Sequence, residues 1–309
     1  MRILLWHVHG SWTTSFVQGA HEYMLPLVSD RGPDGRGRAQ TWDWPASAIE
    51  VTSDEARATA IDVVILQRPV ELDGLAREWV GDRQVPTVYV EHNAPQGRIA
   101  DMRHPAADRD DLTVVHVTHF NDLFWDCGST ATRVIEHGVV DPGYRYSGAT
   151  PRAAVVINEA RRRARVTGTD LLDRFAADGV PIDLFGMDAG ALGGEDVPQH
   201  RLHDEMARRR LYLHPIRWTS LGLSLIEAMH LGMPVVALAT TEAPDAVPAA
   251  AGVLSTRVDR LAEGARDLLA DPERARVAGL AARAAALERF GLRRFLDDWD
   301  GLLEEVVST

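Results

Sequence analysis

Ten short, largely apolar runs punctuate this chain, and they fall into two series separated by helical patterns. The first series is residues 3–8, 63–66, 87–91, 114–117 and 133–136; the second is 154–157, 182–185, 211–213, 234–238 and 252–254. Strands that are apolar throughout, rather than alternating, belong to parallel sheets covered on both faces. Two series of strands interleaved with helices predict two doubly wound α/β domains. A stretch with Pro142, Gly143, Gly148 and Pro151 reads as the linker between them. Residues 29–45, rich in Gly, Arg and Pro, read as a long loop of the first domain. Trp42 and Trp44 in that loop are read as capping a core edge, with stacking on a sugar ring as the alternative. From residue 262 to the end the pattern is helical, broken at Phe290-Gly291. Beyond the break, Phe295, Trp299, Leu302, Leu303 and Val306 recur at helical spacing.

Composition narrows the function classes. The 309 residues suffice for two domains, and their 45% apolar content is that of a globular protein. The net charge of −12 argues against non-specific nucleic-acid binding. No apolar stretch approaches the roughly 20 residues that span a bilayer. The beginning, Met1-Arg-Ile-Leu-Leu-Trp-His7, turns polar too soon for a secretory signal. With Cys127 as the one cysteine, no intrachain disulfide forms, and a cytoplasmic location is expected. Lysine is absent and all 33 basic residues are arginine, so any cationic role falls to arginine.

The segment Ser220-Leu-Gly-Leu-Ser-Leu-Ile-Glu227-Ala-Met-His-Leu-Gly232-Met-Pro234-Val-Val-Ala237 runs from an apolar helix through Gly-x-Pro into a β-branched strand. Glu227 sits there among Leu223, Leu225, Ile226, Ala228 and Met229. A carboxylate in such surroundings is costly unless compensated, and the hydroxyls of a bound sugar or ribose would compensate it. The alternative is a surface glutamate on an amphipathic helix. Polar residues follow several strands: His9-Gly10-Ser11, with Ser11, Thr13 and Thr14 as candidate helix caps, then Glu91-His92-Asn93, and His116-Val-Thr118-His119. The spacing of His116 and His119 would suit a metal only with further ligands; none is obvious, and strand periodicity points the two rings to opposite faces, so no metal is expected there. His200 and His203, on a helical pattern, are read as solvated. There is no Gly-x-x-x-x-Gly-Lys loop and no Gly-x-Ser-x-Gly elbow. Asp108-Arg-Asp110, in a polar loop, is read as coincidence rather than a metal-binding pair.

The segment 215–239 resembles the signature of retaining GT-B glycosyltransferases of the family-4 type (glycosyl transferases group 1). In these, a Gly-Leu-x-x-x-Glu-Ala-Met helix end grips a nucleotide-sugar donor. The resemblance implies a GT-B fold of two Rossmann-like domains facing across a cleft. It divides the chain into an acceptor-side domain at 1–147, a donor domain at 148–290 and, at 291–309, a helix that crosses back onto the first domain. It implies that Leu223 and Glu227 bind the donor, with Glu227 on the ribose. Val88-Tyr-Val-Glu-His92 resembles the family's Val-x-x-x-His, which sets His92 beside the transferred sugar. Gly10 and Ser11 match the loop facing the donor diphosphate, and Gly186 matches the glycine turn beside the nucleotide.

Two departures stand out. The family's Gly-Arg after the first donor-domain strand is replaced by Asn158-Glu159, and its following Lys falls on Thr167. From the cluster Arg161-Arg-Arg-Ala-Arg165, Arg162 and Arg165 are expected to take over the diphosphate, the alternative being a solvated helix turn. The first of the family's two donor glutamates falls on Thr219, which is expected to contact the sugar without charge. The function implied is metal-independent, retaining transfer of a sugar from a nucleotide-sugar donor. The nucleotide sugar is a substrate, and no cofactor or metal is expected. The acceptor is left open among small molecules, glycans and lipid-linked sugars. The rival readings are a catalytically degenerate nucleotide-sugar binding protein on the same fold, a GT-B epimerase, and a periplasmic sugar-binding protein.

Overall fold

The computed structural model describes residues 1–308. They form two compact units. One is Met1–Val140 together with the chain from Leu292 onward, and the other is Asp141–Gly291.

The first unit is built on a seven-stranded sheet. Its strands are β1 (Arg2–Leu5), β2 (Glu22–Pro26), β3 (Ala48–Val51), β4 (Val63–Leu66), β5 (Thr87–Glu91), β6 (Leu112–His116) and β7 (Ala131–Val134). They lie in the order β3-β2-β1-β4-β5-β6-β7, and every neighbouring pair is parallel. Helices α1 (Gly10–Phe16), α2 (Ser53–Ala58), α3 (Ala76–Val80) and α4 (His119–Phe124) are interleaved with the strands. All four residues of β4 are buried, as an unbroken apolar run in a doubly covered sheet requires. On one face Leu4, Trp6, Val64, Leu66, Trp79, Tyr89 and Val114 pack into one core.

Two strands go beyond the apolar runs in the sequence. β2 reads Glu-Tyr-Met-Leu-Pro and stops at Pro26, which has no N–H to continue a ladder. β3 is the edge strand, and its Ile49 and Glu50 are only half-buried, so its sequence is mixed. Residues 29–45 contain no helix or strand. There Arg38 donates to the carbonyls of Trp44 at 2.6 Å and Pro45 at 2.9 Å, knitting the loop together. Trp44 is buried and its indole donates to Thr14 Oγ1 at 2.8 Å, while Trp42 is half-buried. Asp108 is held by Arg103 and by the Ser129 amide, within a surface loop.

The second unit carries a five-stranded sheet of β8 (Thr150–Val156), β9 (Ile182–Phe185), β10 (Arg209–His214), β11 (Val235–Leu238) and β12 (Gly252–Ser255). The order is β12-β11-β10-β8-β9, again all parallel. Its helices are α5 (Ala160–Arg163), α6 (Leu172–Ala177), α7 (Gln199–Arg208), α8 (Leu223–Leu231), α9 (Ala243–Ala246), α10 (Val258–Ala270) and α11 (Pro272–Arg289). Val155, Leu213, Val236, Phe175, Leu261 and Leu268 form its core. The segment leading into β8 is tied to this unit: the Arg145 and Tyr146 amides donate to Leu231 O at 3.2 and 3.0 Å, and Ser147 donates to Ala207 O at 3.0 Å.

Helix α12 (Leu292–Ser308) returns the chain to the first unit. Trp299 packs edge-on against Trp12 and Phe16, with ring centroids 5.7 and 4.9 Å apart. Arg294 donates to the Glu136 and His137 carbonyls at 3.0 and 2.6 Å. Gly138 admits this approach, because a Cβ there would stand 2.2 Å from Phe295 Cβ.

In each sheet the strand order reverses once. In the first unit the chain builds outward from β1 to β3 and then from β4 to β7, so the reversal falls between β1 and β4. In the second it falls between β8 and β10. The crevice at the carboxyl ends of such a pair is where open α/β sheets bind ligands.

Candidate functional site

At the reversal of the first sheet, the loops after β1, β4 and β5 meet. Gln67, directly after β4, is buried and donates through Nε2 to Trp6 O at 2.7 Å. That leaves its carbonyl oxygen facing His92 Nε2 at 3.0 Å. A carbonyl only accepts, so His92 carries its proton on Nε2. Burial, with His9 and His137 nearby, drives the His92 pKa well below the ordinary histidine value, and the ring is neutral. The rings of His9 and His137 lie 4.1 and 6.4 Å from it, and the Trp12 ring meets it edge-on at 5.2 Å. His137 is also buried, with its pKa lowered to about 3 by desolvation, and its Nδ1 has no hydrogen-bond partner among the described residues.

Gly10 and Ser11 open α1, whose cap residue is His9 and carries no side-chain cap bond. Ser11, Thr13 and Thr14 therefore lie inside the helix rather than capping it, and Thr14 Oγ1 donates back to Gly10 O at 2.8 Å. A Cβ on Gly10 would meet Trp42 Nε1 at 3.4 Å and His7 Nε2 at 3.8 Å, which is ordinary contact. The packing of the first unit thus tolerates a side chain at Gly10. The structure brings Gly10, Ser11 and His92 to one corner. The sequence reading missed Gln67 there, although a polar residue directly after a fully buried strand was its visible signal.

Just beyond His92, Glu91 accepts from the Asn93 amide at 2.6 Å and from His104 Nε2 at 3.1 Å. His104 Nδ1 in turn accepts from the Ala106 amide at 3.0 Å, which fixes its tautomer. This buried pair ties the end of β5 to the interior of the loop that follows it. His116, at the end of β6, is buried and its pKa falls to about 4 through desolvation; His119 is exposed.

The second reversal is equally crowded. After β8, Asn158 Oδ1 accepts from the Met187 amide at 3.0 Å and the Glu159 amide donates to Met187 O at 2.9 Å. Glu159 takes a left-handed conformation, φ 53° and ψ 47°, to start the single turn α5. Gly186 has φ 133°, and a Cβ there would stand 2.4 Å from Ile157 O. Gly168 has φ 72°, and its Cβ would stand 1.9 Å from Pro215 O. The loop after β8 and the loop after β10 are therefore in direct backbone contact, and the Arg217 and Trp218 amides donate to Val166 O at 2.9 and 3.1 Å.

The arginine cluster sits on this loop. Arg162 is exposed and pairs with the Glu159 carboxylate. Arg165 is exposed and pairs with Asp170 at 3.1 Å, an aspartate that Arg217 also grips. Arg163 differs from both. It is half-buried, and burial beside Arg162 lowers its pKa. Its amide donates to Glu159 O at 3.0 Å, but its guanidinium makes no hydrogen bond or ion pair among the described residues, the Glu159 carboxylate acting on it only at a distance. A desolvated guanidinium without a hydrogen-bonding partner is the stronger candidate for an anion. The sequence located the cluster but not the member set apart in this way.

Glu227 is buried on α8, as the helix pattern implied. Its compensation comes from within the protein: His203 Nε2 on α7 lies 3.3 Å from Glu227 Oε2. His203, read from the sequence as solvated, has a side chain only 16% exposed. Leu223 is the first residue of α8, and no side chain caps that helix. Thr219 is half-buried in the bend that leads into α8. His214, at the end of β10, is buried and held neutral, its pKa lowered to about 4 by desolvation. Among the described residues no group of three or more His, Cys, Asp or Glu is placed to hold a metal ion. No helix among them is long and apolar enough to cross a membrane.

The region holding α7 to α11 matches a known family. Residues 194–285 fit the model of the glycosyl transferases group 1. No curated protein matches the sequence. Among solved structures, the sucrose-phosphate synthase of Thermosynechococcus elongatus is similar over 100% of this chain and 99% of its own, at 13% identity and a TM-score of 0.71. Anabaena HepE, in complex with UDP and glucose, is similar over 98% of this chain and 99% of its own, at 15% identity and a TM-score of 0.72. A glycosyltransferase from Rickettsia africae follows at 11% identity, 99% and 98% coverage, and a TM-score of 0.66. The two doubly wound units thus share the fold of these enzymes, and residues 194–285 within the second unit match the glycosyl transferases group 1.

Proposed function

We propose that this chain transfers a sugar from a nucleoside diphosphate sugar to an acceptor, with retention at the anomeric carbon and without a metal. The observation that carries the reading is the buried carboxylate of Glu227, inside the matched segment and on the helix that follows the strand reversal of the second sheet. Glu227 would accept hydrogen bonds from the ribose hydroxyls. The uncapped amides at Leu223 and the guanidinium of Arg163 would face the diphosphate. Arg162 and Arg165 would contribute by exchanging their carboxylate partners for phosphate oxygens, and Gly186 would leave room beside the nucleotide. Thr219 would hydrogen-bond the sugar.

In the first unit, His92 would meet the transferred sugar, and Gly10 with Ser11 would lie along the diphosphate. The reaction breaks the bond between the anomeric carbon and the diphosphate oxygen, and forms one from that carbon to the acceptor oxygen on the same face. The departing phosphate oxygen takes the acceptor's proton, so no protein base is required. Guanidinium charge stands where a divalent cation would otherwise offset the leaving group. UDP is the first donor nucleotide to test, because HepE holds UDP-glucose. Cys127, free and buried, fits a reducing compartment, and we place the activity in the cytoplasm.

A second reading, a degenerate binding protein, is favoured by one observation: Arg162 and Arg165 are both engaged by carboxylates. Thermal unfolding with UDP, GDP, ADP, dTDP and CDP tests the donor site, since a ligand at about 100 times its Kd adds roughly 2.7 kcal/mol to the native state. One base is expected to stand out, and its nucleotide sugars then enter a release assay. Binding without transfer or slow hydrolysis would favour the degenerate protein. The absence of any shift with all five would defeat the donor reading.

A further inference from the structure

We infer that His203 is a positioning residue for the nucleotide, acting through Glu227. The inference rests on the reading that Glu227 meets the ribose. His203 lies on α7 and Glu227 on α8, two helices packed side by side in the second unit. Their side chains are 16% and 7% exposed, so the contact is shielded from water. An ionised carboxylate only accepts hydrogen bonds, so His203 Nε2 carries the proton in the 3.3 Å contact to Oε2.

Two physical consequences follow. The pairing offsets the cost of burying the carboxylate before any ligand arrives, so the second unit can fold around an ionised Glu227. It also fixes one carboxylate oxygen, which sets the rotation of the group and the direction of its lone pairs. A carboxylate held in this way binds a pair of hydroxyls without first being immobilised, which is the gain that a preorganised site offers. Nothing in the matched Gly-Leu-x-x-x-Glu-Ala-Met pattern specifies this partner, because it comes from a different helix.

The readout is discrimination for the ribose hydroxyls, which general loosening of the fold would not move selectively. The nucleoside diphosphate giving the largest shift in the thermal screen is titrated calorimetrically alongside its 2′,3′-dideoxy analogue. The proteins compared are the parent, Glu227→Gln, His203→Leu and His203→Gln. The parent is expected to prefer the ribonucleotide by at least about tenfold, the scale of a hydrogen bond to a charged group. His203→Leu should reduce that preference to within about threefold, mainly by weakening the ribonucleotide. His203→Gln retains an N–H donor and should recover most of the preference.

If the parent discriminates and His203→Leu discriminates equally well, the positioning role is wrong while the ribose reading stands. If the leucine and glutamine variants both lose the preference, the N–H donor is not what positions Glu227, and the inference again fails. If the parent binds both analogues equally, or binds no nucleotide, the ribose reading fails and takes the inference with it.

Discussion

At the scale of single residues, the arginine cluster shows what a sequence reveals about charge and what it hides. Arg161 to Arg165 announced an anion site because so much positive charge beside a strand end needs a reason. Which side chain is available depends on the turn they occupy. Glu159 begins that turn with a positive φ, and Ala164 ends it at φ 39°, so α5 is one irregular turn with directions that no ideal helix predicts. Within it, the side chain three residues from Glu159 comes back to that carboxylate, and Arg165 falls beside Asp170. Arg163 is left desolvated. Arg163→Ala is therefore expected to weaken nucleoside diphosphate binding by roughly tenfold or more, as for the loss of a charge-assisted hydrogen bond. Binding of the parent nucleoside should hardly change. Arg162→Ala should cost less, because Glu159 already competes for that group. Calorimetric titration with diphosphate and nucleoside separates the two, and an Arg163 variant that loses both ligands equally would place this arginine outside the phosphate site.

Between neighbouring elements, the strand-to-helix turns divide into those the fold demands and those it leaves free. Gly186 stands where β9 ends against the end of β8, and both its positive φ and the nearby Ile157 carbonyl exclude a side chain. Gly186→Ala should destabilise the second unit by about 1–3 kcal/mol from backbone strain, with the clash adding to it. The thermal midpoint without ligand should fall accordingly. Gly10 is the contrast, since a methyl group fits there against Trp42. Gly10→Ala should leave the midpoint unchanged and lower transfer if the diphosphate approaches that backbone. Unaltered transfer in a stable Gly10→Ala protein would remove this loop from the donor site.

The same scale explains what was and was not legible. β4 and β9 appear in the sequence with their observed limits: β4 is a continuous apolar run, and β9, though interrupted by Asp183, is set off by Pro181 before it and Gly186 after it. β2 and β3 were hidden: β2 is ended by Pro26, and β3 exposes part of its surface at the sheet edge. His203 was hidden for a different reason. The pairing that matters to it joins two helices, and helical spacing within one of them carries no trace of it.

For the molecule as a whole, the two-sheet plan was legible because each strand series carries its own core. The strand order was not, since nothing local in β1 states that β4 will be its neighbour. That order is what gathers His92, Gln67 and Gly10 in one unit and Arg163, Gly186 and His214 in the other. It also leaves an unusual share of histidine buried and neutral at the carboxyl edges of the sheets. Burial lowers the pKa of His116 to about 4, of His137 to about 3 and of His214 to about 4. In the unfolded chain these rings titrate near 6.5. Between those values the unfolded state binds protons that the folded state refuses. Their contribution is complete above about pH 6.5 and is lost as pH falls towards their folded values.

Near pH 5 these three groups alone would give a slope approaching roughly 4 kcal/mol per pH unit. Glu71 opposes this weakly, since burial raises its pKa and protonation then eases its cost. Carboxylates paired with arginine, such as Asp141 and Glu205, add losses of the same sign at lower pH. Urea unfolding is therefore expected to show a clear fall in midpoint from pH 7.5 to pH 5. His116→Gln removes one titrating ring from a buried position and should flatten that fall by about a third. A midpoint constant across this range would mean that the histidines are hydrated and protonated in the folded protein. The crevice at the first strand reversal would then be open to water, and His92 could not remain the neutral hydrogen-bond donor that the proposed sugar contact calls for.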